Sequence, residues 1–520
     1  MSYRSLTLAG GVVLAACGDD IRTTPPDGQA DGPVDGLPDA EDPGVVPRLE
    51  PAACRFTVPE SLGLTEGTGF SCGDLVVYEN RATKQRAIRV HYIRFESAVA
   101  SANATIYLDG GPGGNGQNII SYAAALGAPF FDGLRVDGDF LVIGQRGTEY
   151  ALPYLDCQTS GCTELAAQYD LTAYNTAENA DDVDELRQAL GYEKLNVYGI
   201  SYGSRLGLEV LRRHGANVRA AVIEGLVPSS VAWPAAIPAS VHNALTGLHE
   251  SCAAAVGCGQ AYGNLLTKFS AGVASLDSEP LPMMIQGSSF ELDGGTYAYV
   301  VFRALYAKST YPWLPLVISD VAERRIDRAQ SFLGPQILRL FEGGGVSSGL
   351  YNSVVCGEIF NPPDPTAFET LNAGVPQEFT ELFGNSWFSL SERCQTWPRG
   401  DLQAALAQPV ASSVRTLVSS GRLDPITPPG FGAIAAATLT NAEVITHANS
   451  GHGATLQSAC GVANLTTFLA DPTATHDLSC AADIATEYVL PAQLLARPIP
   501  HARIRAEQDM GPGLPLPRRK

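Results

Sequence analysis

No Cys-x-x-Cys pair occurs in this 520-residue chain, and no paired-histidine spacing accompanies its 11 cysteines, so a structural zinc centre is not expected. Basic residues are scarce: 34 Lys and Arg stand against 54 Asp and Glu, a formal net charge of −20. That balance repels a phosphate backbone and argues against nucleic acid as a partner. Beyond the first residues no run reaches the ~20 apolar positions that a transmembrane helix needs. No internal repeat is evident, and low complexity is confined to Gly18–Pro47. Nothing in the pattern calls for a metal or a cofactor.

What the chain does have begins with an address. Arg4 supplies a positive start, Leu6–Val13 a short apolar run, and Leu14-Ala15-Ala16-Cys17 a close resembling a bacterial lipobox. Residues 1–16 are therefore expected to be a lipoprotein signal peptide, with Cys17 lipidated and anchoring the chain to a membrane. An ordinary cleaved signal peptide is the alternative. Residues 17–49, rich in Asp, Pro and Gly, cannot bury enough apolar surface to offset their ordering entropy and read as an acidic tether. Without Cys17 the cysteines are even in number. They fall into chain neighbours: Cys54 with Cys72, Cys157 with Cys162, Cys252 with Cys258, Cys356 with Cys394 and Cys460 with Cys480. Local disulfides in an oxidising compartment are expected, although spacing alone does not determine connectivity. The expected location is the bacterial cell envelope.

The folded part opens with two expected strands, Leu75–Tyr78 and Ile88–Phe95, around the turn Glu79–Arg86. Thr105–Leu108, Phe140–Ile143, Leu195–Gly199, Val218–Ile223, Val414–Val418 and Glu443–Thr446 read as further strands. Ala177–Leu190 carries Val183, Leu186 and Leu190 at helical spacing. Apolar strands alternating with helices predict an α/β fold with a mostly parallel sheet covered on both faces. Residues 230–410 are mainly helical in pattern and too long for a loop, so they read as an inserted cap. The expected core is 50–229 together with 411–490, and 491–520 is a C-terminal tail.

Ser201 lies in Gly199-Ile200-Ser201-Tyr202-Gly203, after an apolar strand and before the amphipathic stretch Arg205–Arg213. Strand, sharp turn and helix around G-x-S-x-G make the nucleophile elbow of an α/β-hydrolase fold. A serine hydroxyl needs a base, and the base needs an orienting acid, in the chain order Ser, Asp or Glu, His. Asp424 in GRLDPITPP follows the strand Val414–Val418, and His452 in SGHG follows Glu443–Thr446. His447 is the rival base, while His214, His242 and His249 read as surface or helix residues. The loop Asp109-Gly110-Gly111-Pro112-Gly113-Gly114-Asn115-Gly116 lets backbone amides approach an oxyanion. It lacks the Lys-Ser/Thr of a phosphate-binding loop. The amides of Gly111 and Tyr202 are the expected oxyanion donors.

GGPGG, Gln145-Arg146-Gly147-Thr148, GISYG, GRLDPITPP and SGHG follow one another in the order seen in prolyl and tripeptidyl aminopeptidases. The chain resembles these α/β-hydrolase-fold serine peptidases over residues 50–490, including a C-terminal region of the tripeptidyl-aminopeptidase-like type. It departs from them at Asp109, where relatives carry His or Pro, at Gly144 and at Glu149. The resemblance implies an aminopeptidase acting through an acyl-enzyme on a peptide with a free N-terminus. A carboxylesterase with the same triad, acting on an ester, is the alternative; an inactive surface binding lipoprotein is a third reading. An aminopeptidase needs an anion for the substrate ammonium, and Glu224 and Glu358 are the candidates. A structural hydrogen-bonding role is the other reading of each.

Overall fold

The computed structural model describes residues 44–157, 162–341, 346–361, 363–401, 404–483 and 485–491. The expected signal peptide 1–16, the lipidation site Cys17, the tether up to residue 43 and the tail beyond 491 lie outside the described residues.

Twelve strands are described: β1 Arg48–Pro51, β2 Thr65–Glu66, β3 Gly69–Tyr78, β4 Ala87–Phe95, β5 Asn103–Leu108, β6 Asp139–Ile143, β7 Lys194–Ile200, β8 Val218–Glu224, β9 Leu281–Ile285, β10 Ser288–Leu292, β11 Arg415–Gly421 and β12 Ala442–His447. The main sheet runs β1-β3-β4-β6-β5-β7-β8-β11-β12, with β2 beside β3. Strands β1, β3, β4 and β6 pair antiparallel, whereas β6, β5, β7, β8, β11 and β12 pair parallel. Each parallel strand alternates between two apolar layers. Val197, Ile223 and Val418 face a layer with Leu206, Val183 and Leu186, from the helices Tyr202–His214 and Thr176–Leu190. Tyr198, Val222 and Leu417 face another with Ile119, Phe130 and Leu465, from Gln117–Leu126, Ala128–Leu134 and Ala459–Ala470. Burial on both faces explains why these strands read as short apolar runs.

The chain leaves β5 for β6 on one side and then returns to β7 on the other. Reversals of this kind open a crevice beyond the carboxyl ends of the strands. The glycine loop after β5 and the turn after β7 both enter that crevice.

Three elements depart from the sequence reading. β1 begins at Arg48, inside the span expected to be tether: Leu49 pairs with Leu75, and Glu50 accepts from Arg48 and Arg89. β3 extends back to Gly69 because its polar positions are satisfied; Asp74 is bonded by Arg55 and His91. The inserted region, otherwise helical, contains the hairpin β9–β10. Its two-residue turn, Gln286-Gly287, has φ of 49° and 84°, both left-handed, as tight hairpins require.

All five neighbouring cysteine pairs are brought together as disulfides, with Cα–Cα separations of 4.7–5.9 Å.

Candidate active site

Ser201 has φ 59° and ψ −126°, a left-handed conformation unusual for a side chain with a Cβ. The flanking glycines make it possible. A Cβ on Gly199 would lie 2.2 Å from the Gly203 carbonyl oxygen, and one on Gly203 would lie 1.9 Å from the Leu108 carbonyl oxygen. The turn is then pinned from both sides. Ser201 N–H donates to the Glu224 carbonyl at the end of β8 (2.9 Å), and Ser204 N–H donates to the Ser201 carbonyl (2.9 Å).

The loop after β5 passes directly over the serine: a Cβ on Gly110 would lie 2.9 Å from Ser201 Cβ. Gly111 and Gly113 have φ of 115° and 105°. The amides of Gly111 and Tyr202 donate to no acceptor among the described residues. Asp109 accepts from Gly110 N–H (2.8 Å), Gly116 N–H (2.9 Å) and Tyr107 Oη (3.1 Å). Gln145 Nε2 donates to the Asp109 carbonyl (2.8 Å). Arg146, fully buried, forks onto Asp182 at 2.7 and 2.8 Å and caps the carbonyls of Glu79 and Ala173. Gln145 thus ties the Gln-Arg-Gly-Thr segment to the glycine loop, and Arg146 anchors that segment in the core. Of the departures from the aminopeptidase pattern, Glu149 accepts from Asn115 Nδ2 (2.9 Å) at the loop's far end. Gly144 N–H donates to the His91 carbonyl (2.8 Å).

Asp424 and His452 are both buried, and Asp424 Oδ2 lies 2.8 Å from His452 Nδ1. Asp424 Oδ1 accepts from the amides of Ile426 (2.9 Å) and Thr427 (2.8 Å). The Thr427 hydroxyl donates to Oδ2 (2.6 Å) and lies 3.0 Å from His452 Nδ1. Both groups facing Nδ1 accept, so Nδ1 holds the proton and Nε2 keeps its lone pair. His452 Nε2 is buried and has no partner among the described residues. The imidazole packs on Gly225, where a Cβ would lie 3.0 Å from its Cε1. Ser201 and His452 thus both abut the end of β8.

Sequence reasoning missed what holds this imidazole. Tyr306, from the inserted region, accepts His452 N–H on its carbonyl (3.0 Å), and its ring packs edge-on to the imidazole at 5.1 Å. Gln457 Nε2 donates to the carbonyls of Tyr306 (2.7 Å) and His452, and its Oε1 accepts from Gly451 and Lys308 (3.0 Å each). No local pattern marks a glutamine for this work; only the fold brings these carbonyls together. His447 ends β12 with Nε2 buried and unpartnered among the described residues. Burial and the nearby Lys308 charge pull its pKa down to about 4.

Neither candidate ammonium anchor presents a free carboxylate. Glu224 is fully buried and accepts from Thr455 N–H (2.5 Å), the Thr455 hydroxyl and Tyr198 Oη (3.3 Å). Desolvation pushes its pKa up to about 7, against the lowering effect of those bonds and of nearby His452. Glu358 accepts from Thr176 N–H (2.7 Å) and from Arg205 Nε (3.1 Å) and Nη2 (3.0 Å). Its charge is spent on an arginine that also caps the carbonyls of Pro228, Ser229 and Leu406.

A family model described as "alpha/beta hydrolase fold" matches residues 108–249, the span holding the glycine loop and the elbow. The protein has the α/β-hydrolase fold. A second model, described as "TAP-like protein", matches residues 380–480, which include Asp424 and His452. The chain is 31% identical over 150 residues to "Proline iminopeptidase" of Neisseria gonorrhoeae, covering 28% of this chain and 40% of that one. It is 30% identical over 110 residues to "Probable proline iminopeptidase" of Streptomyces coelicolor, covering 21% and 31%. The chain thus spans less than half the length of the curated relatives it matches. Superposition on a serine hydrolase from Cycloclasticus zankles gives a TM-score of 0.34 at 13% identity, over 77% of this chain and 98% of that one.

Proposed function

We propose that this α/β-hydrolase is a serine hydrolase that acts as an aminopeptidase, with Ser201, His452 and Asp424 as its catalytic triad. The observation that carries the reading is the hydrogen-bonded Asp424–His452 pair abutting the same strand end as a strained Ser201. His452 Nε2 takes the Ser201 proton as Oγ bonds to the substrate carbonyl carbon. The resulting oxyanion is held by the amides of Gly111 and Tyr202 at the N-terminal end of the helix Tyr202–His214. His452 returns the proton to the leaving amine as the C–N bond breaks. Water then attacks the acyl-enzyme, with His452 again serving as base, and releases the acid. The TAP-like match and the proline iminopeptidase relatives support a peptide substrate with a free N-terminus.

The carboxylesterase reading has an observation of its own: Glu224 and Glu358 are both committed to internal partners. A panel of N-terminally free and blocked chromogenic peptides beside p-nitrophenyl esters separates the two. Preference for the free amine upholds the aminopeptidase, and hydrolysis of esters alone replaces it with the esterase. Ser201→Ala, His452→Ala and Asp424→Asn should each lower turnover by about 10³-fold or more while the protein stays folded. Full activity of folded Ser201→Ala would end the serine-hydrolase reading.

Export and anchoring through Cys17 belong to the same proposal and rest on the sequence of residues 1–17. Mass spectrometry of the mature protein should find a diacylated Cys17 at its N-terminus; an unacylated start elsewhere would reject the anchor.

A further inference from the structure

Two carboxylates beneath the elbow remain outside the triad. Asp109 and Glu224 are both buried, and neither pairs with a Lys or Arg among the described ion pairs. A buried carboxylate without a cation is costly unless hydrogen bonds surround it. Here the donors come from the two loops that must converge on Ser201. Glu224 takes the amide and hydroxyl of Thr455, in the turn that follows His452. Asp109 takes the amides of Gly110 and Gly116, at the two ends of the oxyanion loop. That loop wraps the carboxylate so closely that a Cβ on Gly114 would lie 2.5 Å from Asp109 Oδ2.

Each acid also takes a tyrosine hydroxyl. Tyr107 Oη donates to Asp109, and Tyr198 Oη donates to Glu224 and lies 2.8 Å from the Thr455 hydroxyl. Tyr107 and Tyr198 pair across β5 and β7, and their rings pack edge-on at 5.5 Å. Burial raises the pKa of both acids.

We propose that Glu224 and Asp109 are positioning residues, Glu224 setting the His452 loop and Asp109 the oxyanion loop in register with Ser201. The proposal rests on the serine-hydrolase reading but not on the choice between peptide and ester. Each carboxylate satisfies two donors of its loop at once, and charge-assisted bonds of this kind are about twice as strong as neutral ones. At Asp109 the two oxygens face backbone N–H groups, so a neutral amide leaves one of them without an acceptor; at Glu224 it keeps the contacts only by reversing the Thr455 hydroxyl, and loses the charge that strengthens them.

The test is the rate at which a fluorophosphonate labels Ser201 in the full chain, which needs the triad and the oxyanion hole but no particular substrate. Glu224→Gln and Thr455→Val should each slow labelling by about tenfold or more, and the double variant should be no slower than the slower single, because both remove one bond. Thr455→Ser should recover labelling to within about threefold, since it restores the hydroxyl donor. Asp109→Asn should slow labelling by about tenfold independently, multiplying with Glu224→Gln. With an ester or peptide that the parent turns over, the loss should fall on kcat with KM within about twofold. Thr455→Val carries the test if Glu224→Gln does not fold. Parent-like labelling by folded Thr455→Val or Asp109→Asn overturns the corresponding half of the proposal, and so does a loss confined to KM. If the parent chain is not labelled at Ser201, the serine-hydrolase reading falls first and this proposal with it.

Discussion

Ser201 and His452, the proposed nucleophile and base, reach the same strand end by different means. Ser201 is placed by backbone sterics within the core. The atoms that would clash with a methyl on Gly199 or Gly203 belong to the turn itself and to the end of β5. His452 is placed by side-chain hydrogen bonds and by the inserted region. A Cβ on neighbouring Gly451 would lie 2.4 and 2.5 Å from the carbonyl oxygens of Leu305 and Tyr306. Gln457 ties the His452 carbonyl to Tyr306. The difference teaches that the steric walls of the Ser201 turn lie within the core, while His452 also rests directly on the insert. Changes in the insert should therefore reach catalysis through His452 rather than through Ser201.

The sharpest break in this comparison is Gly203→Ala. Its methyl would sit 1.9 Å from the Leu108 carbonyl oxygen, backbone that has no room to withdraw. Labelling of Ser201 should fall by about 10³-fold or more, through a lost elbow or a lost fold. Circular dichroism of the same sample tells which. Near-parent labelling would mean that the turn is not sterically set.

Gln457→Leu tests the other side. It strips the clamp between His452 and Tyr306 and leaves the amides of Gly451 and Lys308 without their acceptor. Each orphaned buried group costs about 1–3 kcal/mol, so the melting temperature should drop and turnover should fall by about tenfold. If turnover is untouched while stability falls, the insert shapes the protein but not the base.

The smallest effect on turnover is expected from His447→Gln, which should leave activity within about twofold if His452 is the base. Stability should respond through pH instead. Burial holds the folded pKa of His447 near 4, so between about 6.5 and 4 the unfolded chain binds a proton that the folded one refuses. The parent therefore loses up to about 3 kcal/mol as pH falls through that window, and the glutamine variant does not. Melting curves at pH 7 and pH 4.5 should show the variant gaining on the parent on acidification. Loss of activity in folded His447→Gln would instead exchange the two histidines.

Much of the sheet was legible because its strands carry compact apolar runs: β5 through β8 and β11 fall within a few residues of the expected spans. β1 was not legible, because its pairing rests on Leu49 and on ion pairs to residues far along the chain. The β9–β10 hairpin was hidden in a helical context, although Gln286-Gly287 is a turn signal of the right length. Glu224 and Glu358 show the limit most clearly. Glu224 ends β8 and Glu358 lies in the inserted region, as read, but a carboxylate's partner is a matter of three dimensions, and Thr455 and Arg205 had already claimed them.

The residues alone determined the turn at Ser201, because its geometry depends on glycines and a serine within five consecutive positions and on the strand and helix that flank them. They also determined the order Ser201, Asp424, His452, since each follows a strand whose apolar run is visible. What only the tertiary structure decided is which groups neutralise or orient the others: Thr427 beside Nδ1, Gln457 and Tyr306 on the His452 backbone, and Asp109 and Glu224 beneath the two loops. Those bonds join residues up to 231 positions apart. Local propensity carries no record of them, because a buried hydrogen bond depends on donor, acceptor and excluded water meeting in the folded chain.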